Sequence, residues 1–238
     1  MKIALIGYGK MGKMIEEQAI ARNHEIALKI DMDNRSNITP EQLKQCDVAI
    51  EFTTPSSVID NISWCFNNKI PIIVGTTGWY SNLENVKKEC EVKNGTFLYA
   101  SNFSVGVNIF FALNEFLAKI MNNYPGYESR IEEIHHIHKL DSPSGTGISI
   151  AEGIIKNIDS KTSWSEDNIK NKTVLPIISR REGEVPGTHI VKYQSDIDDI
   201  EIKHIAHNRK GFALGAVIAA EWLKDKKGFH TINEMYTF

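Results

Sequence analysis

Ile3-Ala4-Leu5-Ile6-Gly7-Tyr8-Gly9-Lys10-Met11-Gly12 decides the fold. Four apolar residues run without a polar break, as in a strand buried on both faces, and glycines then recur as G-x-G-x-x-G before a helix-compatible stretch to Ala21. Gly7 permits the turn, Gly9 lets a pyrophosphate approach the backbone, and Gly12 allows the helix to pack closely on the strand. Asp31 stands about 20 residues further on, where a carboxylate accepts hydrogen bonds from adenosine ribose hydroxyls. Met32 follows it, where a binder selective for a 2′-phosphate often carries arginine. The turn therefore reads as a site for NADH or NADPH with a leaning to NADH, although Lys10, Lys13 and Arg35 could still reach a phosphate.

Further strands are expected at Glu25–Ile30, Val48–Phe52, Ile70–Val74 and Phe97–Tyr99, separated by helix-compatible segments. Thr54-Pro55 offers an N-cap and an N1 proline for a helix over 55–67. Alternating strands and helices imply a parallel sheet covered on both faces. Gly75-Thr76-Thr77-Gly78 and Ala100-Ser101-Asn102-Phe103 follow the fourth and fifth strands, at the carboxyl ends where open α/β sheets bind ligands. From Val107 to Met121 the apolar positions follow helical spacing, which predicts a mostly buried helix. The grammar then changes to strand-like segments at 130–137, 173–179, 188–194 and 199–206 with one convincing helix, 145–158, which is α+β organisation. Asn157–Lys172 is polar and reads as loop, the place for any disorder. Gly211–Leu223 is a small-residue helix placed to pack back on the first domain. The expected fold is α/β: a Rossmann-like parallel sheet domain, 1–103 plus 212–238, with a second α+β domain, 104–211, carrying a mixed sheet.

The chain has 238 residues, 42% of them hydrophobic, enough to fill the cores of one large or two ordinary domains. A net charge of −3 exerts no general pull on nucleic acid or an anionic membrane, so an anionic ligand must be held by locally clustered cations. The three cysteines, Cys46, Cys65 and Cys90, are widely spaced without a C-x-x-C pair, which argues against a disulfide framework and fits a reducing cytoplasm. Neither a signal-peptide core nor a run of membrane-spanning length is present in the sequence, so a soluble cytoplasmic protein is expected.

The chemistry concentrates in Glu133-Ile-His-His-Ile-His-Lys-Leu-Asp-Ser-Pro-Ser-Gly-Thr-Gly147. Imidazoles titrate near neutrality, an ammonium pairs with a carboxylate, and Ser144-Gly145-Thr146 can open a helix whose free N–H groups face an anion. Strand alternation would put His135 and Lys139 on one face, and His136 and His138 on the other. Convergence of His135, His136 and Lys139 thus requires the strand to twist or end at about His136. A zinc reading of His136, His138 and Glu133 meets a competing lysine charge and leaves the glycine turn unused, so no metal site is expected. His138 is expected to be packed or solvent-facing, and His189 and His204 to be strand residues of the second domain.

Taken together, these segments resemble the 4-hydroxy-tetrahydrodipicolinate (dihydrodipicolinate) reductase family over nearly the whole chain. The family signature E-x-H-H-x-x-K-x-D-x-P-S-G-T is met by Glu133, His135, His136, Lys139, Asp141, Pro143, Ser144, Gly145 and Thr146. Supporting matches are Glu51-Phe52-Thr53, the two loops at 75–78 and 100–108, Arg181-x-Gly183-x-x-x-Gly187-x-His189 and Asn208-Arg209. Gly147 and Ser142 stand where alanine is common, and the chain is short for the family. The resemblance implies reduction of a cyclic dicarboxylate in the diaminopimelate route of lysine biosynthesis, in a homotetramer. It makes His135 the proton donor and acceptor, Lys139 the second catalytic residue, and His136, Gly145 and Thr146 the substrate holders. The nicotinamide cofactor falls to Gly7, Tyr8, Gly9, Lys10, Met11, Gly12, Asp31, Gly75, Thr76, Thr77, Ala100, Ser101, Asn102 and Phe103. Hinge closure between the two domains would exclude water. Two rival readings are another two-domain nicotinamide-dependent amino-acid dehydrogenase and a non-catalytic dinucleotide sensor. The signature at 133–146 counts against both.

Overall fold

A computed structural model describes residues 1–167 and 171–236. Along the chain run β1 (Lys2–Ile6), α1 (Lys10–Ala21), β2 (Glu25–Ile30), α2 (Pro40–Leu43), β3 (Val48–Glu51), α3 (Val58–Asn67), β4 (Ile72–Val74), α4 (Leu83–Val92) and β5 (Thr96–Tyr99). These are followed by α5 (Val105–Met121), β6 (Glu128–His135), α6 (Gly145–Ile155), β7 (Ser163–Ser165), β8 (Val174–Arg181), β9 (Gly187–Gln194) and β10 (Asp199–Ala206). α7 (Lys210–Leu223), β11 (Gly228–Thr231) and α8 (Ile232–Met235) complete the order. Two compact units result: Met1–Val105 with residues 210–236, and Gly106–Arg209.

The first unit is built on a six-stranded sheet in the order β11-β5-β4-β3-β1-β2, parallel throughout. Successive side chains of β1 leave on opposite faces. Ile3 and Leu5 pack with Ile15 and Ala19 of α1 and with Ala216, Ala220 and Leu223 of α7. Ala4 and Ile6 pack with Ile62 and Phe66 of α3 and Val86 of α4. Burying each such large aliphatic or aromatic side chain contributes about 1.5–3 kcal/mol. β1 lies between β2 and β3, so the chain leaves it first toward one edge and then toward the other. A ligand crevice forms where the connections diverge in this way.

α7 approaches the sheet closely because its inner face is small: a Cβ on Gly215 would stand 1.7 Å from the carbonyl oxygen of Phe103. At its other end Glu221 accepts hydrogen bonds from Arg22 Nε (2.8 Å) and Nη2 (2.7 Å), and lies 2.7 Å from His24 Nε2. The helix expected to return to the first sheet does so.

The second unit carries a five-stranded mixed sheet in the order β10-β9-β6-β8-β7, with β9 antiparallel to both β6 and β10 and with β8 parallel to both β6 and β7. Ile131, Leu175, Ile177, Val191 and Tyr193 of its inner face pack against Phe110, Ala118 and Met121 of α5 and Ile150 and Ile154 of α6.

Three expectations are corrected. α3 starts at Val58, with Ser57 as an N-cap that makes no side-chain cap bond. The hydroxyls of Thr54, Ser56 and Ser57 bond one another at 2.9–3.0 Å and give Pro55–Ser57 a turn of their own. α5 is not mostly buried: Ile109, Leu113, Phe116 and Ile120 are 41–62% exposed, because the core uses only the opposite flank. The polar stretch 157–172 is partly ordered, since Ile158 is buried, Trp164 of β7 packs on the core and Lys161 Nζ donates to the Lys172 carbonyl (2.7 Å). Residues 168–170 of that stretch lie outside the described residues.

Candidate active site

At the carboxyl end of β1 the backbone itself dictates glycine. Gly7 has φ +94°, and a Cβ there would stand 2.0 Å from the Phe52 carbonyl oxygen; one on Gly12 would stand 2.3 Å from that of Gly7. Nothing lies within 4 Å of where a Gly9 Cβ would be. Gly9 caps α1 without a side-chain bond, so the first N–H groups of the helix face an open cradle. A cavity of about 410 Å³ opens here, lined by Gly9, Lys10 and Met11, by Phe52, Thr53 and Pro55, and by Gly75–Thr77.

The second glycine loop is pinned in the same way, because a Cβ on Gly75 would lie 2.1 Å from the Phe52 ring. The Thr76 hydroxyl accepts the Thr53 N–H at 2.7 Å, tying the loops after β3 and β4 together. Beneath them Glu51 is wholly buried, accepting from the Thr53 hydroxyl and, at 3.4 Å, from Asn61 Nδ2; burial pushes its carboxyl up. These open loops, free helix N–H groups and the cavity fit a dinucleotide. Asp31 follows β2 at the surface, its carboxylate accepting the Met32 N–H at 2.9 Å. Arg35 is stacked 3.3 Å over the Trp64 ring.

Of the other residues expected at the cofactor, Tyr8, Ala100, Asn102 and Phe103 face inward. Tyr8 donates to Glu16, which also pairs with Lys29 at 2.7 Å. Ala100 and Phe103 are buried in the core, Phe103 beside Phe52 with ring centroids 5.9 Å apart. They offer backbone rather than side chain. Asn102 is buried and accepts the Ser104 N–H at 2.9 Å, whereas Ser101 is exposed.

In the second unit β6 alternates so that Ser129, Ile131, Glu133 and His135 point inward. The strand ends at His135, as convergence of the histidines and lysine requires. The Glu182 N–H donates to the His135 carbonyl (2.8 Å) and the Ile137 N–H to that of Gly183 (3.1 Å). His135 is 6% exposed, and its ring meets that of His189 edge-on with centroids 5.0 Å apart. Burial lowers its imidazole; the Glu133 charge opposes this, while Lys139 and Arg181 reinforce it.

Lys139 Nζ donates to both carboxylate oxygens of Asp141, at 2.7 and 2.8 Å. Arg181 clips the same loop, donating from Nη2 to the Asp141 carbonyl at 2.5 Å. Burial works to raise the Asp141 carboxyl, but Lys139 and Arg181 hold it below the usual carboxylate range. His136 is half-buried, its ring 6.2 Å from that of His138, which is itself solvent-facing and 3.3 Å from Glu184. Ser144 caps α6, accepting the Gly147 N–H at 3.0 Å, so Gly145 and Thr146 form the first turn.

As sequence, Glu133 belongs to the family signature and His189 to a strand of the second domain, with no catalytic or binding role assigned to either. Glu133 is wholly buried and pairs across the ladder with His189 of β9. The two-residue spacing of Glu133 and His135 was a visible signal for the first. For His189 the local signal is the match ending Gly187-x-His189, but its meeting with Glu133 comes from strand register.

Two family models match the chain: dihydrodipicolinate reductase, N-terminus, over residues 1–103, and dihydrodipicolinate reductase, C-terminus, over 106–236. The chain belongs to the dihydrodipicolinate reductase family. A curated relative from Christiangramia forsetii, a 4-hydroxy-tetrahydrodipicolinate reductase, is 46% identical over 235 residues, 99% of this chain and 97% of its own length. A dipicolinate-bound dihydrodipicolinate reductase from Paenisporosarcina sp. TG-14 shares the fold, with TM-score 0.75 at 22% identity over 97% of each chain. An amine dehydrogenase from Mycobacterium smegmatis has TM-score 0.57 at 7% identity, covering 97% of this chain and 94% of its own. The architecture is thus wider than dihydrodipicolinate reductases.

Burial, with like charge from His135, His204 and Lys139, brings the His189 imidazole down to about 3. Above pH ~6.5 it is neutral folded or unfolded; below that the unfolded chain takes up a proton that the folded one refuses. This one group therefore removes about 1.4 kcal/mol of stability per pH unit as the pH falls from ~6.5 toward 3. Urea unfolding at pH 7 and pH 5 should show His189→Gln losing about 2 kcal/mol less than the unsubstituted chain over that interval. Equal losses would mean that His189 is not held neutral.

Proposed function

We propose that this chain reduces 4-hydroxy-2,3,4,5-tetrahydrodipicolinate to tetrahydrodipicolinate with NADH or NADPH, in the diaminopimelate route of lysine biosynthesis. It does so in the cytoplasm, where the three unpaired cysteines stay reduced; among the described residues no helix is long and apolar enough to cross a membrane. The observation that carries the reading is the buried His135 beside the Lys139 loop and the capped start of α6, within a chain 46% identical to a reductase of this name. The first unit binds the dinucleotide and the second binds the substrate.

The substrate is a dianion that loses its 4-hydroxyl as water and then accepts hydride at C4. The nicotinamide supplies that hydride when bound. Backbone N–H groups of Gly145 and Thr146, with the Thr146 hydroxyl, hold one carboxylate at the positive end of α6, and His136 supplies a further donor. Lys139 brings a cation close to the negative charge that the ring acquires. His135 protonates the carbon next to C4. A buried imidazole gives up its proton readily, which suits that step.

Asp31 reads the ribose hydroxyls, and Met32 follows it where a binder of a 2′-phosphate often carries arginine, so NADH is the preferred cofactor. Assembly as a homotetramer goes with the exposed Ile178 and Ile205 on the open face of the second sheet.

Oxidation of NADH and NADPH should be followed on the product of the preceding synthase step. Turnover is expected with the unsubstituted chain, and His135→Gln and Lys139→Met should each lower kcat by roughly 10²–10⁴-fold with little change in NADH affinity. Unchanged kcat in both variants would remove the assigned roles, and no turnover with either cofactor would remove the function. Asp31→Ala should raise the Kd for NADH roughly tenfold, and that for NADPH less, in a fluorescence titration; equal weakening would show that Asp31 does not read the ribose. Light scattering should give four times the chain mass, and a monomer would refute the assembly.

A further inference from the structure

Glu133 is the one carboxylate wholly enclosed in the second unit among the described residues, and it lies between the N-cap of α6 and His135. Its Oε1 and Oε2 accept the Ser144 N–H at 2.9 and 3.2 Å, and the Ser144 hydroxyl donates to Oε2. Ser144 in turn accepts the Gly147 N–H. The start of α6 therefore rests on this carboxylate. Gly147 leaves room for it, since a Cβ there would stand 2.5 Å from Oε2. On its other side Oε1 lies 3.8 Å from His135 Nδ1 and Oε2 lies 3.9 Å from His189 Nε2. His135 Nδ1 is buried without a hydrogen-bond partner.

We propose that Glu133 is a positioning residue with two outputs: it anchors the N-cap of α6, which seats the substrate carboxylate, and its charge favours the imidazolium form of His135. One buried carboxylate thereby ties the seat of the anion to the source of the proton. The proposal rests on the reading of His135 as proton donor. The titratable and charged groups facing His135 come from four directions: Glu133 on its own strand, the neutral His189 on β9, Arg181 on β8, and Lys139 with Asp141 on the following loop. Lys139 and Arg181 oppose protonation, and Glu133 is the nearest negative group set against them.

A metal ion is the competing occupant, because ligand atoms of Glu133, His135 and His189 lie within 4.8 Å of one another. Both oxygens of Glu133 already accept bonds from Ser144, and Arg181 Nη1 stands 3.6 Å from Oε1. A dication there would displace those bonds and meet a guanidinium. Both Glu133 oxygens have their donors without one.

The test compares Glu133→Gln and Arg181→Gln in the full-length enzyme, reading the imidazole NMR titration of His135 (assigned by its loss in His135→Gln), the pH dependence of kcat, and substrate KM. Because His135 donates its proton, kcat falls as pH rises through its pKa. In Glu133→Gln the amide oxygen still accepts from Ser144 but the charge is gone. The His135 midpoint and the falling limb of kcat should both move to lower pH, on the order of one unit, with KM changed by less than kcat at neutral pH. Arg181→Gln leaves Glu133 in place without its competing cation, and the midpoint should move to higher pH. Superimposable His135 titrations in all three proteins would overturn the proposal, and either variant suffices if the other does not fold. Absence of turnover in the unsubstituted chain would instead strike at the proposed function, while the titration would still report on Glu133 and His135.

Discussion

A charge that water cannot reach has to be satisfied by the protein, and in the second unit that requirement falls on Glu133. Removing an ionised carboxylate from solvent costs several kcal/mol, and donors from the surrounding chain must offset it. Those donors are the N–H and hydroxyl of Ser144, with Arg181 at 3.6 Å. Meeting them forces the chain after β6 to turn back over the sheet and start α6 at one place. The strand has to stop at His135 for the turn to be made. The loop from His136 to Pro143 is consequently held at both ends, and Arg181 clips its middle through the carbonyls of Lys139 and Asp141.

The first unit satisfies a different constraint, the close approach of backbones at the switch in strand order. Phe52 is the hub. Its carbonyl oxygen excludes a side chain at position 7, and its ring excludes one at position 75. Both glycine loops are thereby set against one residue, and Thr76 bonded to Thr53 ties the second of them to the segment that carries Phe52. A dinucleotide needs backbone N–H groups without intervening side chains, which is what this crowding produces.

The features legible in the sequence were those that repeat locally. The strand, turn and helix at 3–21 carry a periodicity and a glycine spacing that only a few geometries accept, and the end of β6 followed from the parity of His135, His136 and Lys139. What was not legible depends on partners distant in the chain. β11 is four residues whose strand character comes from pairing with β5, and β7 is three residues held by β8 and by the packing of the half-buried Trp164. His189 meets Glu133 through the register of β6 and β9, which no window of sequence contains. α5 reads as buried on two flanks because apolar residues occupy both, yet a single sheet can cover only one. The start of α3 was misjudged because three neighbouring hydroxyls found each other before they found the helix.

The order of synthesis gives the last strand and α7 a significance that the finished structure hides. Until residue 231 has been made, β5 has an unpaired edge, and the sheet face holding Ile3, Leu5, Val48 and Ile50 lacks the alanine-rich cover of α7. The inserted segment 106–209, by contrast, holds every strand of its own sheet and both helices that cover it. The later-made unit can therefore close while the earlier one is still waiting. A nascent chain stalled before α7 exposes a bare apolar surface to chaperones and to its neighbours on the polysome.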